Sequence, residues 1–110
     1  MDAEGQQSAT VRVTEGQSER RLRRHFLPAV TSVPGVDYVY VFRAAGTLRV
    51  RVLVADFWGP ERLGVYDAIE DFADRFDEPT VDFAVLPTGA EPVPPEERDG
   101  VAIWYSRRSR

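Results

Sequence analysis

Hydrophobic and polar positions alternate most regularly between Val36 and Ala55, and that stretch predicts a β-hairpin. In the first arm Tyr38, Tyr40 and Phe42 alternate with Val39 and Val41. In the second, Leu48, Val50, Val52 and Val54 alternate with Arg49, Arg51 and Leu53. Ala44-Ala45-Gly46-Thr47 is the turn, with Gly46 best suited to a positive φ angle. Placing Ala44 opposite Thr47 sets Val41 against Val50 and Val39 against Val52 on one face. On the other face Phe42 meets Arg49, Tyr40 meets Arg51 and Tyr38 meets Leu53. A one-residue slip would put both arginines among the valines, so burial selects this register.

The flanking pattern supplies the other layer. Leu22, Phe26 and Val30 recur at a spacing of four and predict a first helix, capped by Thr14 or Ser18. Pro28 ends or kinks that helix at its last turn, and Pro34-Gly35 stops it. After the hairpin, Asp56-Phe57-Trp58-Gly59-Pro60 reads as a loop, and Pro60 with Glu61 opens a second helix reaching about Phe76. Its expected buried stripe is Leu63, Tyr66, Ile69, Phe72 and Phe76, with acids on the outer face. Thr80 to Leu86 reads as a strand whose near-continuous hydrophobicity predicts a central position. Val101 to Tyr105 suits a last edge strand, and Val11 and Val13 a short first one.

The expected organisation is a polar, disordered N-terminus over 1–8, one α+β domain over 9–105 and a basic tail over 106–110. The element order is (β)-α-β-β-α-β-(β). It predicts a two-layer α+β sandwich with a ferredoxin-like or nucleotidyltransferase-like mixed sheet and both helices on the valine face.

Composition narrows the classes. A chain of 110 residues builds one core, and 43% hydrophobic with 29% charged residues is ordinary for a soluble globular domain. Cysteine is absent, which excludes disulfides and thiolate metal sites. No apolar run approaches a membrane span, and the first eight residues have neither the basic nor the apolar region of a secretory leader. A cytoplasmic location and no membrane contact are therefore expected. All 14 basic residues are Arg, a bias of composition more than a sign of guanidinium chemistry. Net charge runs +3 over 1–55, −10 over 56–100 and +3 over 101–110. Opposed charged surfaces of this kind suit self-association or a charged protein partner.

Chemistry-bearing residues are few. His25, between Arg24 and Phe26, has no assignable nucleophile or carboxylate partner and reads as a core-edge histidine. Asp56, Glu61 and Asp82 could supply a carboxylate pair, but strand and helix ends commonly carry such residues as caps. No catalytic residue, metal or cofactor is assigned. The unusual constellation is the hairpin's outer face: Tyr38, Tyr40, Phe42, Arg49 and Arg51. Aromatic rings interleaved with Arg serve second-layer packing, protein interfaces, or stacking with RNA bases. The net charge of −4 disfavours nucleic acid. Trp58 reads as a hydrophobic lid over a core edge or as an exposed binding anchor, and Trp104-Tyr105 as a segment docking to a sheet edge. The arginines of the first helix read as a solvated face or as partners of the acidic second helix.

Residues 20–87 resemble the core of a minimal nucleotidyltransferase: helix, strand, turn, strand, helix, strand. Val39-Tyr-Val-Phe-Arg-Ala-Ala-Gly46 stands where that family has its Phe-Gly-Ser motif strand. Arg49-Val-Arg51 stands at the two metal-binding aspartates, and Asp82 at the third carboxylate. The phosphate-holding Gly-Ser is missing and two guanidinium groups replace two oxygen ligands, so the resemblance implies a catalytically inactive relative. The expected function is a non-enzymatic binding or assembly module working through protein–protein contacts, as a homodimer or in a larger complex. The candidate interface is Tyr38, Tyr40, Phe42, Arg49, Arg51 and Trp58. The alternatives are an inactive nucleotidyltransferase-like domain that binds a nucleotide or partners an active homologue, and RNA binding on the hairpin face.

Overall fold

Two antiparallel strands form the centre of the molecule, in the register the hydrophobic pattern predicts. A computed structural model describes residues 16–77, 81–93 and 101–107. β1 (Val36–Ala44) and β2 (Thr47–Val54) pair Ala44 with Thr47, Val41 with Val50 and Val39 with Val52. Ala45 and Gly46 turn the chain with φ of 53° and 77°. Two positive angles define the turn whose twist matches a hairpin. The register steps at Asp37, which has no partner in β2.

The helical run 16–31, α1, contains a π turn at Leu22–Phe26 and closes with the α-helical segment Leu27–Thr31. Ser18 thus lies inside the helix and is not its cap; Thr14 lies outside the described residues. Pro28 lacks an N–H, yet the helix passes it. The wide turn just before the proline, where the Leu27 N–H donates to Leu22 O, absorbs the mismatch. Thr31 Oγ1 and Ser32 Oγ then donate to the carbonyls of Leu27 and Ala29, both at 2.7 Å, satisfying the frayed end.

α2 (Glu61–Arg75) follows β2 and leads into β3 (Val81–Pro87), which pairs parallel with β2. β4 (Ala102–Ser106) pairs antiparallel with β1, giving the order β3-β2-β1-β4. The sheet is mixed. β2 and β3 bond directly, whereas the split βαβ unit of a ferredoxin-like sheet separates such strands with a third. The order therefore follows the nucleotidyltransferase-like alternative. β3 is an edge of the described sheet, not a central strand. Its hydrophobicity serves the helix layer instead: Val85 is buried, and Phe83 packs on Phe26 with ring centroids 5.0 Å apart. The 9–14 strand expectation, the N-terminus and residues 108–110 lie outside the described residues. Ser106 belongs to β4, so the strand runs into the expected tail.

Both helices cover the valine face. Leu22, Phe26 and Val30 of α1 and Val65, Ala68 and Phe72 of α2 join Val39, Val41, Val50, Val52 and Val54 in one buried cluster. α2 is rotated from the expected stripe: Phe72 is buried, but Leu63 and Tyr66 are 58% and 39% exposed. Gly64 explains the rotation, because a Cβ there would sit 3.1 Å from Val33 Cγ1. The two small residues, Gly64 and Ala68, bring α2 close to its neighbours and turn Leu63 and Tyr66 outward.

Candidate functional site

The sheet's other face carries Tyr38, Tyr40 and Phe42 from β1, Arg49 and Arg51 from β2, and Asp82 from β3. Strand alternation and the parallel register, Arg49 beside Asp82 and Arg51 beside Ala84, bring them together. Arg51 Nη2 donates to Asp82 Oδ2 at 3.1 Å, and its Nη1 reaches the Asp82 and Val50 carbonyls, each at 3.2 Å. Arg49 Nη1 lies 3.9 Å from the same carboxylate oxygen. The Arg51 guanidinium also lies 5.6 Å from the centre of the Phe42 ring.

This geometry answers whether the divalent cation of the resembled family fits. The resemblance sets two guanidinium groups at two oxygen-ligand positions, and in the structure both lie on Asp82. A cation there would meet positive charge from two sides, so the residues do not fit it. Among the described residues no three His, Cys, Asp or Glu side chains group as metal ligands. Arg51 also has a structural part that its strand position alone conceals, since its side chain is only 12% exposed. Arg51→Glu would set two carboxylates against each other and is expected to cost about 1 kcal/mol, the upper range for cross-strand charge pairs. Arg51→Met, which keeps the stem, should cost less than half of that. Equal urea midpoints for the two variants would show that Asp82 does not hold Arg51.

The aromatic residues divide. Phe42 is buried with Ala44 and Val93, and Val101 packs against them. Residues after β3 thus return across this face as a partial second layer, and the Phe42 ring is closed to a partner. Tyr38 and Tyr40 stay half-buried and stack on each other at 5.7 Å. Tyr40 lines a cavity of about 290 Å³ with Glu91, Pro92, Val93 and Val101. Burial first, then Tyr38 and Glu91, holds its hydroxyl above the ordinary tyrosine value.

Trp58 is separate from this group. It is 81% exposed, with its ring edge-on to Phe57 and the Arg62 guanidinium 5.4 Å from its centre. So exposed a ring does not close over a core edge as a lid would, and the loop presents it to solvent. Asp56 and Glu61 do approach each other. A Cβ on Gly59 would lie 2.6 Å from Asp56 Oδ2 and 2.9 Å from Glu61 Oε1. Asp82, beside Arg49, stands near the opposite end of β2, so the three acids form no single site. His25 rests on Phe76 at 4.7 Å, as a core-edge histidine does.

The buried charge that pattern reading missed is Asp37. It is 6% exposed, accepts from Thr88 Oγ1 at 2.8 Å and faces Arg107 Nη1 at 3.6 Å. Its carbonyl accepts from the Arg107 N–H at 2.8 Å. An acid inside an otherwise apolar strand was the available signal. Trp104 and Tyr105 dock to a sheet edge within the chain, that of β1, with Arg23 stacked 4.1 Å from the Trp104 ring centre.

No protein-family model matches the sequence, and no curated protein matches it. Among solved structures, a candidate nucleotidyltransferase from Sulfolobus solfataricus superposes with a TM-score of 0.53 at 13% identity, over 82% of this chain and 81% of that one. A chain from the complex of a tri-AMPylated HEPN toxin of Shewanella oneidensis with MNT antitoxin gives a TM-score of 0.41 at 14% identity, over 86% and 71%. The first of these likenesses is one of fold: this chain is a small α+β domain with a nucleotidyltransferase-like four-stranded mixed sheet.

Proposed function

We propose that this chain is a non-enzymatic binding and assembly module on a nucleotidyltransferase-like fold, acting through protein–protein contacts with a second copy or another protein. The observation that carries the reading is the Trp58 surface. A tryptophan 81% exposed stands in the loop that opens α2, and the first turns of that helix expose Leu63 and Tyr66. Large exposed apolar side chains at one end of an element are what buried interfaces recruit, with Trp and Tyr foremost. Asp82, neutralised by Arg49 and Arg51, supports the non-enzymatic half of the proposal. Burial of Phe42 leaves the hairpin face poorly furnished for stacking RNA bases.

Light scattering after size exclusion tests it. The chain should exceed its 12.4 kDa monomer mass at high concentration, alone or with its partner. Trp58→Ser should weaken that association at least tenfold and leave the melting temperature nearly unchanged, as so exposed a side chain contributes little to the fold. Association undiminished by Trp58→Ser would move the interface elsewhere. A strict monomer that captures no partner would end the proposal.

A further inference from the structure

A second surface, remote in sequence from the hairpin, is built around a concentration of positive charge. Gln17, Arg20, Arg21, Arg24 and His25 lie three, four, seven and eight positions along α1, a spacing that places them on one face. Phe76, just past the end of α2, closes the other side, and the cavity between measures about 270 Å³. No carboxylate lines it among the described residues.

Each side chain has a distinct part. Arg21 is engaged with Phe76, its guanidinium 5.6 Å from the ring centre. Arg75 approaches His25 Nδ1 to 3.5 Å. An arginine nitrogen can only donate, so in a bond between the two Nδ1 is the acceptor. The His25 ring rests on Phe76. Arg20 and Arg24, both exposed, complete the basin with guanidinium groups.

Gathering this much like charge is unfavourable unless something offsets it. The C-terminal end of α2 offers about half a unit of negative charge, and among the described residues no lining side chain brings a full one. The π turn Leu22–Phe26 includes Arg24 and His25, and such turns recur at binding sites.

We infer that the cavity bounded by Arg20, Arg24, His25 and Phe76 is a binding site for a multiply charged phosphate anion of the diphosphate class. Guanidinium forks pair bidentately with phosphate oxygens, and an imidazole N–H adds a directed donor. A single phosphate would leave part of the basin unmatched, whereas a diphosphate brings enough charge for both arginines. This site shares no residue with the Trp58 surface, so either can fail without the other.

Calorimetric titration of the full chain with inorganic pyrophosphate tests the site. Saturable binding is expected, at least tenfold tighter than that of orthophosphate or sulfate and weakening with added salt. Arg24→Glu and the milder Arg20→Gln/Arg24→Gln pair should each reduce affinity at least tenfold, while Arg43→Gln, outside the cavity, should not. Unchanged melting temperatures would confirm that these exposed positions leave the fold intact. ADP separates the sources: tighter binding than pyrophosphate indicates a diphosphate carried by a nucleotide, and equal binding a free one. The proposal is overturned if pyrophosphate gives no saturable heat at millimolar concentration or binds Arg24→Glu as well as the parent. It also fails if sulfate binds equally, or if a short RNA binds here without competition from pyrophosphate.

Discussion

Replacing Phe26 by alanine should lower the unfolding free energy by about 3–5 kcal/mol, the range for removing a fully buried aromatic side chain. Phe26 is 1% exposed and stands between the layers, 6.1 Å from the Phe72 ring and 5.0 Å from that of Phe83. Those two rings also meet edge-on at 6.0 Å, so one aromatic cluster ties α1, α2 and β3 together. In a domain of this size the loss corresponds to roughly 15 °C or more in melting temperature. Thermal unfolding followed by circular dichroism reads it. A fall below about 5 °C would mean that the cavity collapses and that the helices are not held through this ring.

Asp37→Ala should be the second most damaging change, at about 2–4 kcal/mol, because it strands partners that a buried carboxylate had satisfied. The residue sits at the β1 bulge. It receives the Thr88 hydroxyl from beyond β3 and the Arg107 backbone and side chain from beyond β4. Thr88 in turn donates its N–H to Val54 O, at the end of β2. One carboxylate therefore fastens the same end of all four strands. Asp37→Asn keeps an acceptor for Thr88 and loses only the charge facing Arg107, so it should cost about half as much. Urea midpoints distinguish the two, and equal losses would show that the charge, not the hydrogen bond, carries the contribution.

The hairpin register was legible because a one-residue slip hides Arg49 and Arg51 among valines, and the tight turn at Ala45 and Gly46 excludes larger slips. The α1 stripe was legible for the same reason, three apolar residues at a helical spacing with nothing competing for the core. The α2 stripe was legible only in part: Ile69, Phe72 and Phe76 pack on the core, while Leu63 and Tyr66 do not. Leu63, Tyr66, Ile69, Phe72 and Phe76 and the line Val65, Ala68 and Phe72 are both plausible helical faces. The choice between them falls to the close approach at Gly64, which local pattern does not encode. β3 misled in a similar way, its apolar run answering to packing beneath α1 and α2 and not to strands on both sides.

For the candidate site, the resemblance to a nucleotidyltransferase core is what singled out Arg49, Arg51 and Asp82 in the sequence. That they lock together follows from the parallel pairing of β2 with β3, a contact across 31 residues of chain for Arg51 and Asp82. Phe42 looked like an interface residue until the chain beyond β3 folded back and buried it. Trp58 read as either a lid or an exposed anchor, and its ring proved to stand in solvent beside Phe57. Periodicity is a property of neighbours along the chain, and it was enough to specify the elements, the core face of the hairpin and its register. Which strand lies beside which, which helix face turns inward and which charges meet depend on groups distant in sequence. They were settled only when the layers packed, because burial and pairing energies act through space and not along the chain.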